Sequence, residues 1–186
     1  MQVMAIGASG ADRLPVLPDA LPTAALLWVT CTYDEARDWV GPIARLTGVT
    51  VFDTHLLDTE NHAHPSFFDS TSDYELVIFR GLSSHSILSG DHDGLRVRTR
   101  PTIFFVFPRC LVTIHSPDSR SVPALQKWLM AASGAGYRLP ATPGDLMLRL
   151  LNDMVDRYLD LRQPLTEQLE QWQRRLLDPR APFRDW

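Results

Sequence analysis

The apolar positions of this chain change period along its length: short unbroken runs dominate up to about His115, and from Thr142 onward they return every three or four residues. Unbroken runs of strand length predict buried strands, and the later spacing predicts an amphipathic helix. Gln2 to Ile6 reads as a short strand, with a turn at Gly7, Ser9 and Gly10 and a Pro-punctuated connector from Pro15 to Pro22. Ala24 to Cys31 is apolar almost throughout, as a central strand covered on both faces should be. Thr32 is placed to cap a helix in which Ala36, Trp39, Val40, Ile43 and Leu46 share a face, Gly48 ends it, and Pro42 is expected to bend its second turn.

Asp53 to His64 reads as a short helix running into a loop before Pro65, and Tyr74 to Leu82 as a buried strand. Ser83 to Gly94 is a polar loop with a turn at Asp91-His92-Asp93-Gly94. Leu95 to Thr99, carrying Arg96 and Arg98, suits a sheet edge where cationic side chains discourage stray pairing. Thr102 to Phe107 and Cys110 to His115 flank Pro108-Arg109 as a tight hairpin. Pro117 to Ala131 then predicts a helix burying Val122, Leu125, Trp128 and Leu129, ended by Gly134 and Gly136.

The terminal helix, Thr142 to Asp178, starts with Thr142 as N-cap, Pro143 at the first helical position and Asp145 where a carboxylate meets unpaired N–H groups. Met147, Leu151, Met154, Tyr158, Leu161, Leu165, Leu169, Trp172 and Leu176 form a seam, widened in the first half by Leu146, Leu148, Leu150, Val155 and Leu159. Asp145 with Arg149, Asp153 with Arg157 and Glu170 with Arg174 are i,i+4 pairs on the solvent side. A helix of this length reaches roughly 50 Å, more than the width of the body before it. The first half is expected to dock on that body, and Leu165, Leu169, Trp172 and Leu176 to pair with another helix, including that of a second copy. Pro164 is expected to kink the rod, and Asp178-Pro179 to stop it.

The totals fit one α/β body, residues 1–141, a long helix, 142–178, and a tail or start of a second helix, 179–186. With 186 residues, 45% of them hydrophobic and 22% charged, a core of useful size can form. The net charge of -4 argues against nucleic acid as a partner. Cys31 and Cys110 sit in apolar, strand-like stretches, where thiols act as small hydrophobes in a reducing compartment. The longest apolar runs are too short to cross a bilayer, so the chain as given reads as soluble.

The candidate chemistry is concentrated between His55 and His64. His55, His62 and His64 lie close enough in sequence to nominate a softer metal such as zinc, which imidazole suits better than magnesium, although Asn61 and Pro65 interrupt helical ligand spacing. A metal-assisted hydrolase using His55, Asp58 and His64 is the best enzymatic form of that set, and the non-enzymatic reading is preferred. Cys110 has no visible thiolate stabiliser, and no serine stands in a nucleophile elbow. A soluble interaction module that docks through the outer half of the terminal helix is a further alternative.

The segments His55-Leu-Leu-Asp58-Thr-Glu-Asn61, His64-Pro65-Ser66, Asp73-Tyr74, Leu111-Val112-Thr113-Ile114-His115 and Leu150-Leu151-Asn152-Asp153-Met154-Val155-Asp156-Arg157-Tyr158 come in an order that resembles the cytoplasmic N-terminal domain of CorA-type divalent-cation transporters. The resemblance implies an α/β/α sandwich with a mixed parallel and antiparallel sheet, followed by the first of a pair of long antiparallel helices. It implies an ion-sensing regulatory role on the cytoplasmic side of the cell membrane, within a pentamer. Asp58 matches the family's acidic ligand for Mg2+, with Co2+, Ni2+ or Zn2+ as related ions. The family's Gly-Met-Asn signature and membrane spans are absent here, so the expectation is a fragment or a stand-alone regulatory domain that conducts nothing and holds the ion weakly or not at all.

Overall fold

The apolar run becomes strand β3 (Ala25–Thr32), in which every residue from Leu26 to Cys31 is buried. Around it, a computed structural model describes residues 1–83, 88–90, 94–132 and 137–177, with the backbone alone at 88–90 and 94–96. The other strands of the main sheet are β1 (Gln2–Gly7), β2 (Ala11–Leu14), β4 (Phe67–Ser70), β5 (Glu75–Leu82), β8 (Thr99–Phe107) and β9 (Cys110–His115). They form a seven-stranded sheet of order β2-β1-β3-β9-β8-β5-β4, in which β3 and β9 are parallel and every other pair is antiparallel. The sheet is therefore mixed, with its parallel pair near the centre.

Side chains alternate across a strand, so the central strands must be covered twice. On one face Leu27, Val29, Ile78 and Phe105 pack with Trp39 and Ile43 of α1 (Val40–Thr47, preceded by Trp39 as its cap) and with Leu56 of α2 (Asp53–Glu60). On the other, Trp28, Phe104 and Leu111 pack with Val122 and Leu129 of α3 (Ser121–Ala132) and with Leu146, Leu150 and Met154 of α4 (Pro143–Leu159). Two polar pairs cross the interior, Trp28 Nε1 donating to Thr113 Oγ1 at 3.0 Å and Gln126 Nε2 to Thr30 Oγ1 at 3.2 Å, while the buried Trp39 Nε1 and Arg109 Nη2 have no hydrogen-bond partner. This is the α/β/α sandwich with a mixed sheet that the resemblance implies.

Several elements differ from the expectations. The strands β2 and β4 come from segments to which the sequence pattern assigns no element; both are edge strands of four residues, too short for a clear period. After β3, Thr32 closes a capping box on a single 3-10 turn, Tyr33–Glu35, and α1 starts only at Val40. Pro42 therefore falls in the first turn, where its missing N–H breaks no helical bond, and causes no bend. Gly48 ends α1 as expected, in the left-handed conformation at φ 74°. Leu95–Thr99 does not edge the main sheet. Instead Leu95 and Arg96 belong to β7 (Gly94–Arg96), which pairs with β6 (Leu88–Gly90) of the predicted loop as a separate ribbon, and Thr99 opens the interior strand β8. The turn at 91–93, the glycines at 134 and 136, and the tail from 178 lie outside the described residues.

The terminal rod comes as two helices, α4 and α5 (Arg162–Leu177), which meet at Asp160–Leu161. The bend is one turn before Pro164, because a proline frees the carbonyl four residues back, here that of Asp160, and its ring crowds that carbonyl. At the bend the backbone bonds shorten to three-residue steps, Asp160 N–H to the Arg157 carbonyl and Leu161 N–H to the Tyr158 carbonyl. The Thr142 cap forms as expected, its hydroxyl accepting the Asp145 N–H at 3.1 Å. Asp145–Arg149 and Asp153–Arg157 pair, but Arg174 donates to the Glu170 carbonyl rather than its carboxylate. The docked row is Leu146, Leu150, Met154 and Leu161, whereas Leu148, Val155 and Leu159 are exposed. The apolar stripe is thus wider than the face the sheet can cover.

Leu150→Ala is expected to cost about 2–5 kcal/mol and Leu148→Ala less than about 0.5 kcal/mol, read by urea denaturation. Equal losses at the two positions would show that the docked face is misassigned.

Candidate functional site

The segment His55 to His64 is carried by α2 and the loop after it. The buried side of α2 consists of His55, Leu56 and Thr59, so His55 is turned into the protein. Its Nδ1 lies 2.8 Å from Tyr74 Oη and its Nε2 3.0 Å from Asp69 Oδ2. Tyr74 Oη also accepts the Phe52 N–H at 3.0 Å, at the start of the helix. A carboxylate only accepts, so Nε2 carries the proton toward Asp69 and Nδ1 accepts the tyrosine hydroxyl. Both ring nitrogens are then engaged, and His55 serves as a buried tie between α2, β4 and the start of β5.

Asp58 and His64 are the two sequence-nominated residues whose donor atoms converge. Asp58 Oδ1 lies 3.5 Å from His64 Nε2. The other nitrogen of His64 donates to the Pro65 carbonyl at 2.8 Å, and the ring stands edge-on to Phe67 with centroids 5.5 Å apart. With Nδ1–H held by a carbonyl, Nε2 is the atom turned toward the carboxylate: protonated it makes an ion pair with Asp58, and without that proton it offers a lone pair. Two acceptors that face each other in this way make a place for a cation, and a histidine anchored through its second nitrogen is the usual form of a metal ligand. Ligands about 2.0–2.1 Å from a shared ion stand roughly 3 to 3.5 Å apart, which the pair satisfies. The fit is to half a coordination shell: among the described residues no group of three or more His, Cys, Asp and Glu is placed to hold a metal ion.

His62 is placed differently, stacked on Tyr33 with ring centroids 4.2 Å apart. Tyr33 donates its hydroxyl to the Pro101 carbonyl, and burial pushes its pKa up to about 12. His85 and His92 lie outside the described residues.

Three residues that hold this loop were not nominated from sequence as part of a site: Asp69, Arg80 and Tyr158. Arg80 Nη1 donates to the carbonyls of His62 at 3.1 Å and His64 at 2.8 Å. Its Nε and Nη2 bond the Thr99 hydroxyl and carbonyl at 2.8 and 2.9 Å. The Arg80 carbonyl in turn accepts the Tyr158 hydroxyl at 2.6 Å, just before the bend between α4 and α5. The one available sequence signal was a lone cation in an otherwise apolar strand.

The two thiols are far from this loop in character. Burial raises Cys31 and Cys110 to about 12, so neither carries a thiolate at neutral pH. On the terminal helix, Leu165, Leu169, Trp172 and Leu176 are 45%, 63%, 51% and 58% exposed. No helix among the described residues is long and apolar enough to cross a membrane.

A family profile described as CorA-like Mg2+ transporter protein matches residues 23–184. Among solved structures, the complete CorA magnesium transporter of Methanocaldococcus jannaschii is 16% identical with a TM-score of 0.70, over 95% of this chain and 51% of that one. The full-length CmaX protein is 18% identical with a TM-score of 0.67, over 91% and 49%. The cytoplasmic domain of ZntB from Vibrio parahaemolyticus is 16% identical with a TM-score of 0.61, over 87% and 61%. This chain thus spans about half the length of the full-length structures it matches. No curated protein sequence matches it significantly.

His115, at the end of β9, is buried, and burial lowers its pKa while its Nδ1 bonds the Ser116 carbonyl at 2.8 Å. The unfolded chain therefore binds a proton more readily at this site. Its contribution is present above the ordinary histidine value of 6.5 and is lost as the pH falls below it. Thermal melts from pH 7.5 to 5 are expected to show a falling midpoint whose slope is reduced in His115→Gln; an unchanged slope would place the acid sensitivity elsewhere.

Proposed function

We propose, from the premise that the chain belongs to the CorA-like Mg2+ transporter protein family, that it is the ion-responsive regulatory part of a transporter for Mg2+ or a related divalent cation, on the cytoplasmic side of the membrane. The observation that carries this reading is the convergence of Asp58 and His64. Magnesium keeps most of its water and takes one or two carboxylates, so Asp58 alone offers it a weak site. The imidazole beside it favours Co2+, Ni2+ or Zn2+ over Mg2+ at the same place.

The reading also has a mechanical side. A cation drawn between Asp58 and His64 acts on a loop whose carbonyls hang from Arg80. The backbone of Arg80 holds Tyr158, next to the bend of the rod. Occupancy of the loop and the angle of α5 are in this way joined by directional bonds. Catalysis and transport through this chain are no part of the proposal.

A second reading, in which α5 is a docking surface, is favoured by the exposure of Leu165, Leu169, Trp172 and Leu176. The two readings are compatible in a homo-oligomer, with a pentamer as the family expectation, in which α5 lies against further helices of the same protein.

Titration of the chain with Ni2+ and with Mg2+ by calorimetry is expected to give weak binding, tighter for Ni2+, abolished by Asp58→Asn for both ions and weakened by His64→Ala for Ni2+ alone. Binding that survives Asp58→Asn would end the sensing assignment. In sedimentation at high concentration, the chain is expected to self-associate, and Leu169→Lys with Trp172→Lys to return it to monomer. A monomer at all concentrations would remove α5 as a self-pairing surface.

A further inference from the structure

A hollow of about 510 Å³ opens at the end of the sheet where α4 begins. It lies between the turn after β1, the start of β3, the β8–β9 hairpin and the segment 137–141 that leads into α4. Ile6, Leu26 and Leu139 give it an apolar wall. Two arginines from separate elements share the lining, Arg109 of the hairpin turn and Arg138 of the segment before α4. No Asp or Glu lines it among the described residues.

Neither cation is answered by the protein. The side chains of Arg109 and Arg138 make no hydrogen bond or ion pair with any described residue, and Arg109 Nη2 is shut off from solvent without a partner. Desolvating a charged donor without an acceptor is costly, so such a group calls for an occupant that the fold does not itself provide. Arg109 is half-buried, and its charge is delocalised over the whole guanidinium. An anion against the open side therefore offsets the closure of the other. The carboxylates of the neighbourhood are placed elsewhere: Asp145 accepts the Ala141 N–H and pairs with Arg149, and Asp73 and Glu75 line a different hollow beyond Pro108 and Pro143.

Both arginines stand on fixed backbone. The Arg109 carbonyl accepts the Leu27 N–H at 3.0 Å, and the Arg138 carbonyl accepts from Arg149 Nη2 at 2.9 Å. Leu139 and Pro140, next in the chain, are buried. Two cations suit a dianion, and a phosphomonoester carries about −1.5 to −2 charges at neutral pH, with oxygens that match the guanidinium fork. The hollow falls within the roughly 300–1,000 Å³ of small-molecule sites and is larger than a bare phosphate fills. Its apolar wall offers nothing to a second charged group.

The geometry points to a binding site for a small organic phosphomonoester, its phosphate held by Arg109 and Arg138 and its carrier set against Ile6, Leu26 and Leu139. Its occupant joins the hairpin to the segment that enters the Thr142 cap, and so ties the base of the rod to the sheet. The site shares no residue with the Asp58 loop, and it stands or falls independently of cation sensing.

The test is a titration of the chain at constant ionic strength with two probes, phenyl phosphate and inorganic phosphate, followed by calorimetry and by amide chemical shifts. Phenyl phosphate is expected to bind saturably and about tenfold or more tighter than inorganic phosphate, with shifts centred on residues 109 and 137–141. Arg109→Ala and Arg138→Ala should each weaken it about tenfold or more. Arg138 is exposed, so its variant should melt like the parent chain and separates loss of the ligand from loss of the fold. Arg120→Ala, in the cleft at the other end of β8, and Asp58→Asn should leave binding unchanged. Inorganic phosphate binding as tightly as phenyl phosphate would overturn the organic carrier. No binding of either probe, shifts reproduced by chloride, or unaltered binding in both arginine variants would overturn the site.

Discussion

The two-sided burial of the parallel pair β3 and β9 governs the rest of the molecule. Leu27, Trp28, Val29, Leu111 and Val112 have no exposure at all, and each such side chain contributes about 1.5–3 kcal/mol by leaving water. Neither face of this pair can be left open, so α1 and α2 cover one face and α3 and α4 the other. Polar groups on the covered faces are few and include the tied pairs Trp28–Thr113 and Gln126–Thr30, whereas those open to a ligand lie at the strand ends and along the β4 side. The Asp58 loop lies on the β4 side.

The same constraint explains why the rod divides in character. Residues of α4 lie over the sheet as far as Met154, and Leu161 is the last buried position. Beyond it the main sheet ends, and α5 runs beside β7 with Leu165, Leu169, Trp172, Leu176 and Leu177 exposed. The bend forced by Pro164 falls at this boundary, so the docked and undocked halves are also mechanically distinct. Tyr158 and Arg157, which bond the body just before the bend, are well placed to fix its angle.

Neighbouring polar residues have different fates here for simple geometric reasons. His55 and Asp58 are separated by less than one helical turn, yet His55 faces the core and Asp58 the rim. A histidine in the core must have both nitrogens satisfied, and Tyr74 and Asp69 do that. His64, outside the helix, uses one nitrogen for its own backbone and turns the other toward Asp58. Burial, more than residue type, decides which member of the histidine-rich segment is available to a ligand.

Read alone, the sequence determined those features that rest on local pattern. The apolar run of β3, the β8–β9 hairpin at Pro108-Arg109, the Thr142 cap and the length of the terminal rod all follow from composition, turn chemistry and period. The order of motifs was enough to resemble the CorA family, and it singled out Asp58. Tertiary structure decided what depends on neighbours distant in sequence. The edge strands β2 and β4 exist because partners pair with them, and Pro42 is harmless because packing starts α1 just before it. Only folding could show that His64, and not His55, meets Asp58, and that Arg80 supports the loop. Local sequence sets backbone preference and the face a side chain takes, whereas a site needs groups from separate elements at bonding distance, and that distance is fixed only when the two faces of the sheet close.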